Sequence, residues 1–220
     1  MVGSILAGAV NYLPFGWGLL MDDILHFLPI YLALAAAILN LVRRQWTLNL
    51  ISLAVLFISM IPPLLRILPT PLALILPFTG LMVTLILYLT LLNVVGIERI
   101  HLFRRPTSGE IFRALVGIFL ITILRVFLPI IQQAIFPQVS LSHLLLSLGL
   151  VLVGLLQLGT IQEPFYLTIG ILTFLSGFQI LISALEFSYL LEALFVAVNL
   201  LLAIVGAFFI VKNEESKQHE

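Results

Sequence analysis

Two pairs of polar residues near the C-terminus have the residue types and the spacing that chemistry would need. Gln179 and Glu186 lie in one apolar stretch, and Glu192 and Asn199 lie in the next. The members of each pair are seven residues apart, which is about two turns of an α-helix, so each helix is expected to carry one polar stripe. Polar groups at membrane depth are costly and usually face protein or a wet path. The four side chains therefore form a candidate polar relay for ions, in which amides orient water but store no proton.

Each of these residues also has a structural interpretation. Amides such as Gln179 and Asn199 commonly join membrane helices through hydrogen bonds of about 0.6 kcal/mol on average. Glu186 and Glu192 flank a short turn, where they could simply be solvated. Arg125 lies roughly 9 Å inside the end of its helix, at 1.5 Å per residue. It could anchor the helix at the interface, or it could form an ion pair with one of the two glutamates.

The composition indicates a chain that is surrounded by lipid. Of the 220 residues, 62% are hydrophobic and 9% are charged, whereas about a quarter of the residues are charged in soluble domains. A water-soluble fold of this size could not cover its surface with so few charges. The net charge is zero and the basic residues fall at helix ends, so nucleic acid is not an expected partner.

The apolar stretches predict an all-α, polytopic transmembrane bundle of about seven spans. Each stretch is close to the roughly 20 residues that cross the hydrocarbon core. The predicted spans cover residues 24–42, 48–65, 72–95, 111–131, 142–161, 165–185 and 188–211. Residues 1–23 are predicted to form an interfacial or half-inserted segment, with an extra span over residues 2–20 as the alternative. Residues 212–220 are predicted to form a charged cytoplasmic tail.

The basic residues predict the orientation, because short loops that carry Lys and Arg stay in the cytoplasm. With seven spans, one side collects eight basic residues, namely Arg43, Arg44, Arg99, Arg104, Arg105, Arg113, Lys212 and Lys217. The other side has only Arg66 and, if its side chain snorkels, Arg125. We therefore expect an inner (cytoplasmic) membrane protein with its N-terminus outside and its C-terminus inside.

Neither a metal site nor an active site is expected in this chain. It has no cysteine, and its four histidines lack the spacing of metal ligands. Motifs of serine hydrolases, zinc proteases and P-loop proteins are absent from the sequence. Short loops leave no place for a nucleotide or flavin, so we expect no cofactor and no enzyme activity of the chain by itself. Small residues in the later helices are predicted to permit close packing, namely Gly149, Gly154, Gly159, Gly170, Ser176 and Gly177.

About 70 residues at the C-terminus resemble a known membrane subunit. An apolar helix over residues 146–158 is followed by the turn Gln162-Glu163-Pro164 and by a helix that contains Gly177-Phe178-Gln179-Ile180-Leu181. The last helix begins Ser188-Tyr189-Leu190-Leu191-Glu192-Ala193-Leu194. This arrangement is similar to the smallest, three-helix subunit of respiratory complex I and of multisubunit cation/proton antiporters. The whole chain resembles the longer, seven-helix relatives of that subunit in membrane-bound hydrogenases.

The resemblance implies an N-out, C-in core and a membrane subunit of an ion-translocating complex. It departs from the family at one position, because the family carries a buried glutamate where this chain has Gln179. That difference favours a structural or accessory subunit, in which Glu186 or Glu192 would have to supply the carboxylate. The alternatives are a stand-alone permease, with Pro62, Pro77 and Pro129 lining a path, and a membrane scaffold without transport.

Overall fold

The computed structural model describes residues 17–94, 107–186 and 188–218, with side chains from residue 27 to residue 216 within those ranges. All regular secondary structure in these residues is helical, which confirms the predicted all-α class. The helices are α1 (Trp17–Val42), α2 (Trp46–Ser59), α3 (Ile61–Leu64), α4 (Thr70–Ala73), α5 (Ile75–Val94), α6 (Ser108–Ala134), α7 (Leu141–Thr160), α8 (Pro164–Leu185) and α9 (Tyr189–Gln218).

Six helical stretches in the described part of the chain are long and apolar enough to cross a membrane. They are Trp46–Leu64, Thr70–Val94, Ser108–Ala134, Leu141–Thr160, Pro164–Leu185 and Tyr189–Ser216. These stretches correspond to the last six predicted spans, so a multi-pass membrane protein is confirmed at this level. The first predicted span falls in α1, and the part of this helix with described side chains, Phe27–Val42, is apolar. A membrane span formed by α1, which would bring the total to seven, therefore stays a prediction.

The first and last helices extend beyond their predicted bounds. Helix α1 begins at Trp17 rather than at residue 24, so residues 17–23 are helical, and their interfacial position stays a prediction. The rest of that predicted segment, residues 1–16, lies outside the described residues. Helix α9 continues from Val211 to Gln218, so residues 212–218 of the predicted tail prolong the last helix. Residues 212–218 contain neither glycine nor proline and are rich in Lys, Glu and Gln, which are good helix formers.

The second predicted span ends at a pair of prolines, as the sequence predicts. Pro62 and Pro63 lack the amide hydrogen that an α-helix needs, and they occupy the first turn of α3, where that donor is not required. Helix α2 accordingly ends at Ser59, and the chain turns through Met60 into α3. Another proline, Pro71, lies in the first turn of α4.

The helices pack in a ring that places α8 and α9 side by side. Helix α1 packs against α2 and α7, α2 packs against α5, and α9 packs against both α5 and α8. The most extensive interface, between α7 and α8, completes the ring, while α6 lies outside against α7 and α1. Only 17% of the apolar core of α6 and 28% of that of α9 is buried, whereas half or more is buried in the other four spans. The outer faces of α6 and α9 thus offer the largest apolar surfaces to lipid.

Glycines permit the close approach of α7 and α8. A Cβ atom on Gly154 would lie 2.6 Å from the backbone nitrogen of Phe174, and one on Gly177 would lie 2.6 Å from the carbonyl oxygen of Ser147. Gly149 and Gly170 also face neighbouring helices, as predicted. Gly159 differs, because a Cβ there would meet nothing within 4 Å.

This difference provides a matched test of the α7–α8 interface. Gly154→Ala should lower the free energy of unfolding by about 1–3 kcal/mol, because the new methyl group would press on the backbone of α8. Gly159→Ala should be neutral or stabilising by up to about 1 kcal/mol, because alanine favours helix and nothing obstructs it. Reversible unfolding in mixed detergent micelles measures both effects. Equal stabilities of the two variants would contradict the described packing.

Candidate functional site

A buried polar cluster joins α8 to α9. The carboxylate of Glu192 accepts a hydrogen bond from Nε2 of Gln179 at 2.6 Å and a second from the hydroxyl of Ser183. On the other side of Gln179, Nδ2 of Asn199 donates to its Oε1 at 3.5 Å. We call these four residues, Gln179, Ser183, Glu192 and Asn199, the polar cluster.

Helical spacing and antiparallel pairing bring the polar cluster together. Gln179 and Ser183 are four residues apart on α8, so their side chains share one face. Glu192 and Asn199 share a face of α9 for the same reason. Because α8 ends at Leu185 and α9 begins at Tyr189, the two helices run antiparallel from a short connection. Ser183 therefore meets Glu192 near the connection, and Gln179 meets Asn199 further along.

The cluster is almost completely enclosed. The exposed fractions are 1% for Gln179, 2% for Asn199, 4% for Glu192 and 5% for Ser183. Both oxygens of the Glu192 carboxylate have a donor from α8, and both donors are uncharged. In the described part of the chain no basic side chain lies within ion-pair distance of this carboxylate. The two hydrogen bonds from α8 therefore satisfy the buried carboxyl group without an ionic partner.

The deeper end of the cluster has one unused acceptor. Oδ1 of Asn199 is buried and has no hydrogen-bond partner among the described residues. Asn199 lies ten residues into α9, or about 15 Å from its start at 1.5 Å per residue. Two buried hydroxyls, those of Ser176 and Thr173, continue the polar face of α8 beyond Gln179. Each donates to a carbonyl of its own helix, which leaves its oxygen able to accept a further bond.

Two of the predicted site residues lie apart from the cluster. Glu186 follows the last residue of α8 and is exposed. Arg125 is exposed on α6, and its guanidinium lies 5.9 Å from the centre of the Tyr31 ring on α1. Helix α6 packs against α7 and α1, whereas α9 packs against α5 and α8. The structure thus brings together Gln179, Glu192 and Asn199, and it does not bring Arg125 to either glutamate.

Ser183 is the cluster member that the sequence analysis missed. Serine is frequent in membrane helices, where its hydroxyl often bonds to the preceding turn of its own helix, so its presence alone carries little information. The Ser183 Oγ also lies 2.8 Å from the carbonyl oxygen of Gln179, so its single hydrogen is donated either to that carbonyl or to Glu192. Its position four residues after Gln179, on the predicted polar stripe, was the available signal.

The described histidine side chain, that of His143, lies outside the polar cluster. His143, at the start of α7, contacts the hydroxyl of Ser140 through Nδ1 and the carbonyl oxygen of Pro63 through Nε2 at 3.0 Å. The bond to Pro63 ties α7 to α3. Within the described ranges, no three His, Asp or Glu side chains are grouped so that they could hold a metal ion.

The described fold and cluster define a class, that of multi-pass α-helical membrane proteins with a buried carboxylate between two helices. Comparison of the chain with family models, with curated proteins and with solved structures found no match.

The hydrogen bond between Gln179 and Glu192 can be tested by a double-mutant cycle. Gln179→Leu should destabilise the protein by about 1–3 kcal/mol, because it leaves the Glu192 carboxylate short of a buried partner. Gln179→Leu combined with Glu192→Leu should cost less than the sum of the two single changes, with a coupling of roughly 0.6–1.7 kcal/mol. Unfolding in mixed micelles gives all of the values. The exposed Glu186→Leu is the control and should change stability by less than about 0.5 kcal/mol. Strict additivity would contradict the contact.

Proposed function

We propose that this chain is a membrane subunit of an ion-translocating oxidoreductase or antiporter-type complex, in an accessory or structural role. We further propose that its polar cluster serves as a relay for protons. The observation that carries the proposal is the buried carboxylate of Glu192, held by Gln179 and Ser183 on the neighbouring helix. Intramembrane ionisable residues are rare, and they typically mark an ion or proton path.

The position of Glu192 supports the proposal through the resemblance described above. The resembled subunits carry a buried glutamate where this chain has Gln179. Here the carboxylate of Glu192 lies within one hydrogen bond of the Gln179 side chain, at 2.6 Å. A carboxylate is therefore present at nearly the same place, although α9 supplies it instead of α8. The absence of the family glutamate need not abolish proton transfer, because Glu192 supplies an acidic group in its place.

In the proposed relay each member has a separate part. The Glu192 carboxylate is the group that binds and releases the proton. The Ser183 hydroxyl can donate and accept, so it can pass a proton between the carboxylate and the nearby end of the helix pair. Gln179 and Asn199 cannot take up a proton at neutral pH, and they orient water instead. The free Oδ1 of Asn199 is the place where such water would be held.

The outer surface of α9 supports a role inside a larger assembly. Leu190, Leu194, Leu201, Ile204 and Phe208 are exposed and recur at helical spacing on this helix. The stripe lies on the face of α9 opposite to Glu192, so a larger subunit packed there would be separated from the relay by this one helix. In this proposal other membrane subunits and lipid share the outer faces of α6 and α9.

The distribution of charge supports an N-out, C-in arrangement in the inner membrane. Arg43, Arg44 and Arg113 border one cavity, and Glu163 contacts Arg44 at 3.9 Å, so these residues share one end of the bundle. Arg125 lies towards the opposite end of α6. Seven spans with this basic end in the cytoplasm satisfy the rule that positively charged connections stay inside.

The positions of the prolines favour a subunit over a stand-alone permease. A permease path would require Pro62, Pro77 and Pro129 to face one interior route. Pro62 and Pro129 are exposed, whereas Pro77 is buried in α5. The three residues thus face different surroundings. A scaffold without transport stays as the competing proposal, and a functional test of Glu192 separates the two.

The proposal can be tested with Glu192→Gln in the assembled complex. The amide keeps the shape and one acceptor oxygen of the carboxylate but cannot carry a proton. Proton translocation, measured with a pH-sensitive dye in proteoliposomes, should fall about 100-fold or more. Co-purification with larger membrane subunits in mild detergent should be unchanged.

The matched control is Glu186→Gln, which should translocate protons at the wild-type rate because Glu186 lies outside the polar cluster. Unchanged translocation in Glu192→Gln would remove the relay and leave a scaffold. A chain that purifies alone in mild detergent, without larger subunits, would contradict the proposed assembly itself.

A further inference from the structure

A groove with one basic side chain lies on the lipid-facing surface, between α1, α6 and α7. It has a volume of about 220 Å³, and Arg125 is the one charged residue among the described residues that line it. Two hydroxyl-bearing residues, Tyr31 and Ser142, border it as well. The rest of the lining is apolar and consists of Phe27, Leu128, Pro129, Leu141 and Leu145. The relay proposed above uses none of these residues.

Arg125 lies in an apolar part of α6 but close to one end of the bundle. Its neighbours Val126 and Phe127 are 69% and 53% exposed, as expected of a lipid-facing helix. Nine residues, or about 13.5 Å at 1.5 Å per residue, separate Arg125 from the last residue of α6. Leu141 and Ser142 are the first two residues of α7, so the groove lies near this end of the bundle. An arginine at such a depth extends its apolar stem along the helix and its charged group towards the lipid headgroups.

The guanidinium of Arg125 has no anionic partner among the described residues. Its central carbon lies 5.9 Å from the centre of the Tyr31 ring, and this is a contact with an aromatic face. No described carboxylate lies within ion-pair distance of it, and none of its N–H groups has a hydrogen-bond acceptor in the described part of the chain. A guanidinium keeps its charge in proteins, and its side chain is exposed. Its donors are therefore accessible to an anion from outside the chain.

We infer that this groove binds the phosphate of a phospholipid headgroup, with Arg125 as the donor. A guanidinium matches two phosphate oxygens with a fork of parallel N–H groups. The walls around Arg125 are apolar, and Phe27 and Leu141 are 39% and 43% exposed, so the groove is open to the lipid chains beside it. A lipid presents a phosphate and apolar chains together, which fits these surroundings better than soluble phosphate does.

Lipid binding to the full-length protein tests the inference. Native mass spectrometry in an uncharged detergent gives the affinity for phosphatidylglycerol and for diacylglycerol with the same acyl chains. Wild-type protein should bind phosphatidylglycerol about fivefold more tightly, because Arg125 attracts its phosphate. Arg125→Gln should abolish this preference. Arg125→Lys should retain part of it, since lysine keeps the charge but lacks the fork.

Two matched controls separate the groove from general attraction between the protein and an acidic lipid. Arg66 is also exposed but does not line the groove, so Arg66→Gln should leave the preference unchanged. Leu141→Trp places a large ring in the groove without changing the charge, and it should reduce the preference. Leu155 is 48% exposed elsewhere on α7, so Leu155→Trp should have no effect.

Three results would overturn the inference. The first is equal binding of the two lipids by wild-type protein, and the second is a preference that persists in Arg125→Gln. The third concerns Asp23, which precedes Phe27 by four residues in α1. A preference that appears only in Asp23→Asn would mean that a carboxylate of the chain already neutralises Arg125. Displacement of phosphatidylglycerol by an equal concentration of inorganic phosphate would assign the site to soluble phosphate and overturn the lipid assignment.

Discussion

The interior of a bilayer offers no hydrogen-bond partners, and this constraint shapes the chain at every level. Backbone groups must bond within their own segment, so apolar stretches of about 20 residues become helices. Polar side chains at the same depth must find partners on a neighbouring helix. The side chains of Gln179, Ser183 and Glu192 meet this requirement among themselves, and Glu192 has a donor for each of its carboxylate oxygens. The same rule that produces the fold therefore also produces the site.

The packing of the bundle determines where this site can lie. Gly154 and Gly177 bring the backbones of α7 and α8 close together, and α8 thereby gains a firm support on one side. Its other side carries Gln179 and Ser183 towards α9. Helix α9 packs against α5 and α8 but leaves much of its surface apolar and open. Helix α9 thus turns the Glu192 carboxyl group towards α8 and an apolar stripe towards the outside of the bundle.

Much of this architecture could be predicted from apolar length and polar spacing. Six spans follow from hydrophobic stretches, and the seven-residue spacing places Glu192 and Asn199 on one face of α9, because both signals report single helices directly. The same spacing also paired Gln179 with Glu186, which lies outside the cluster. Ser183 was not predicted because a serine hydroxyl hydrogen-bonds to a carbonyl of its own helix as readily as to a neighbouring helix. The burial of Arg113 could not be predicted either, since an arginine near a helix end usually reaches water. The position of Arg125 over Tyr31 depends on which helices are neighbours, and that is decided by packing between distant segments.

The central claim is that Ser183 and Glu192 face each other across the α8–α9 interface, and cross-linking tests it most directly. The chain contains no cysteine, so paired cysteines can be introduced without altering other residues. Ser183→Cys combined with Glu192→Cys should form a disulfide under mild oxidation in membranes. Ser183→Cys combined with Leu190→Cys should not, because Leu190 is 82% exposed on another face of α9. Cross-linking of the second pair but not of the first would show that Glu192 faces away from α8 and would contradict the account.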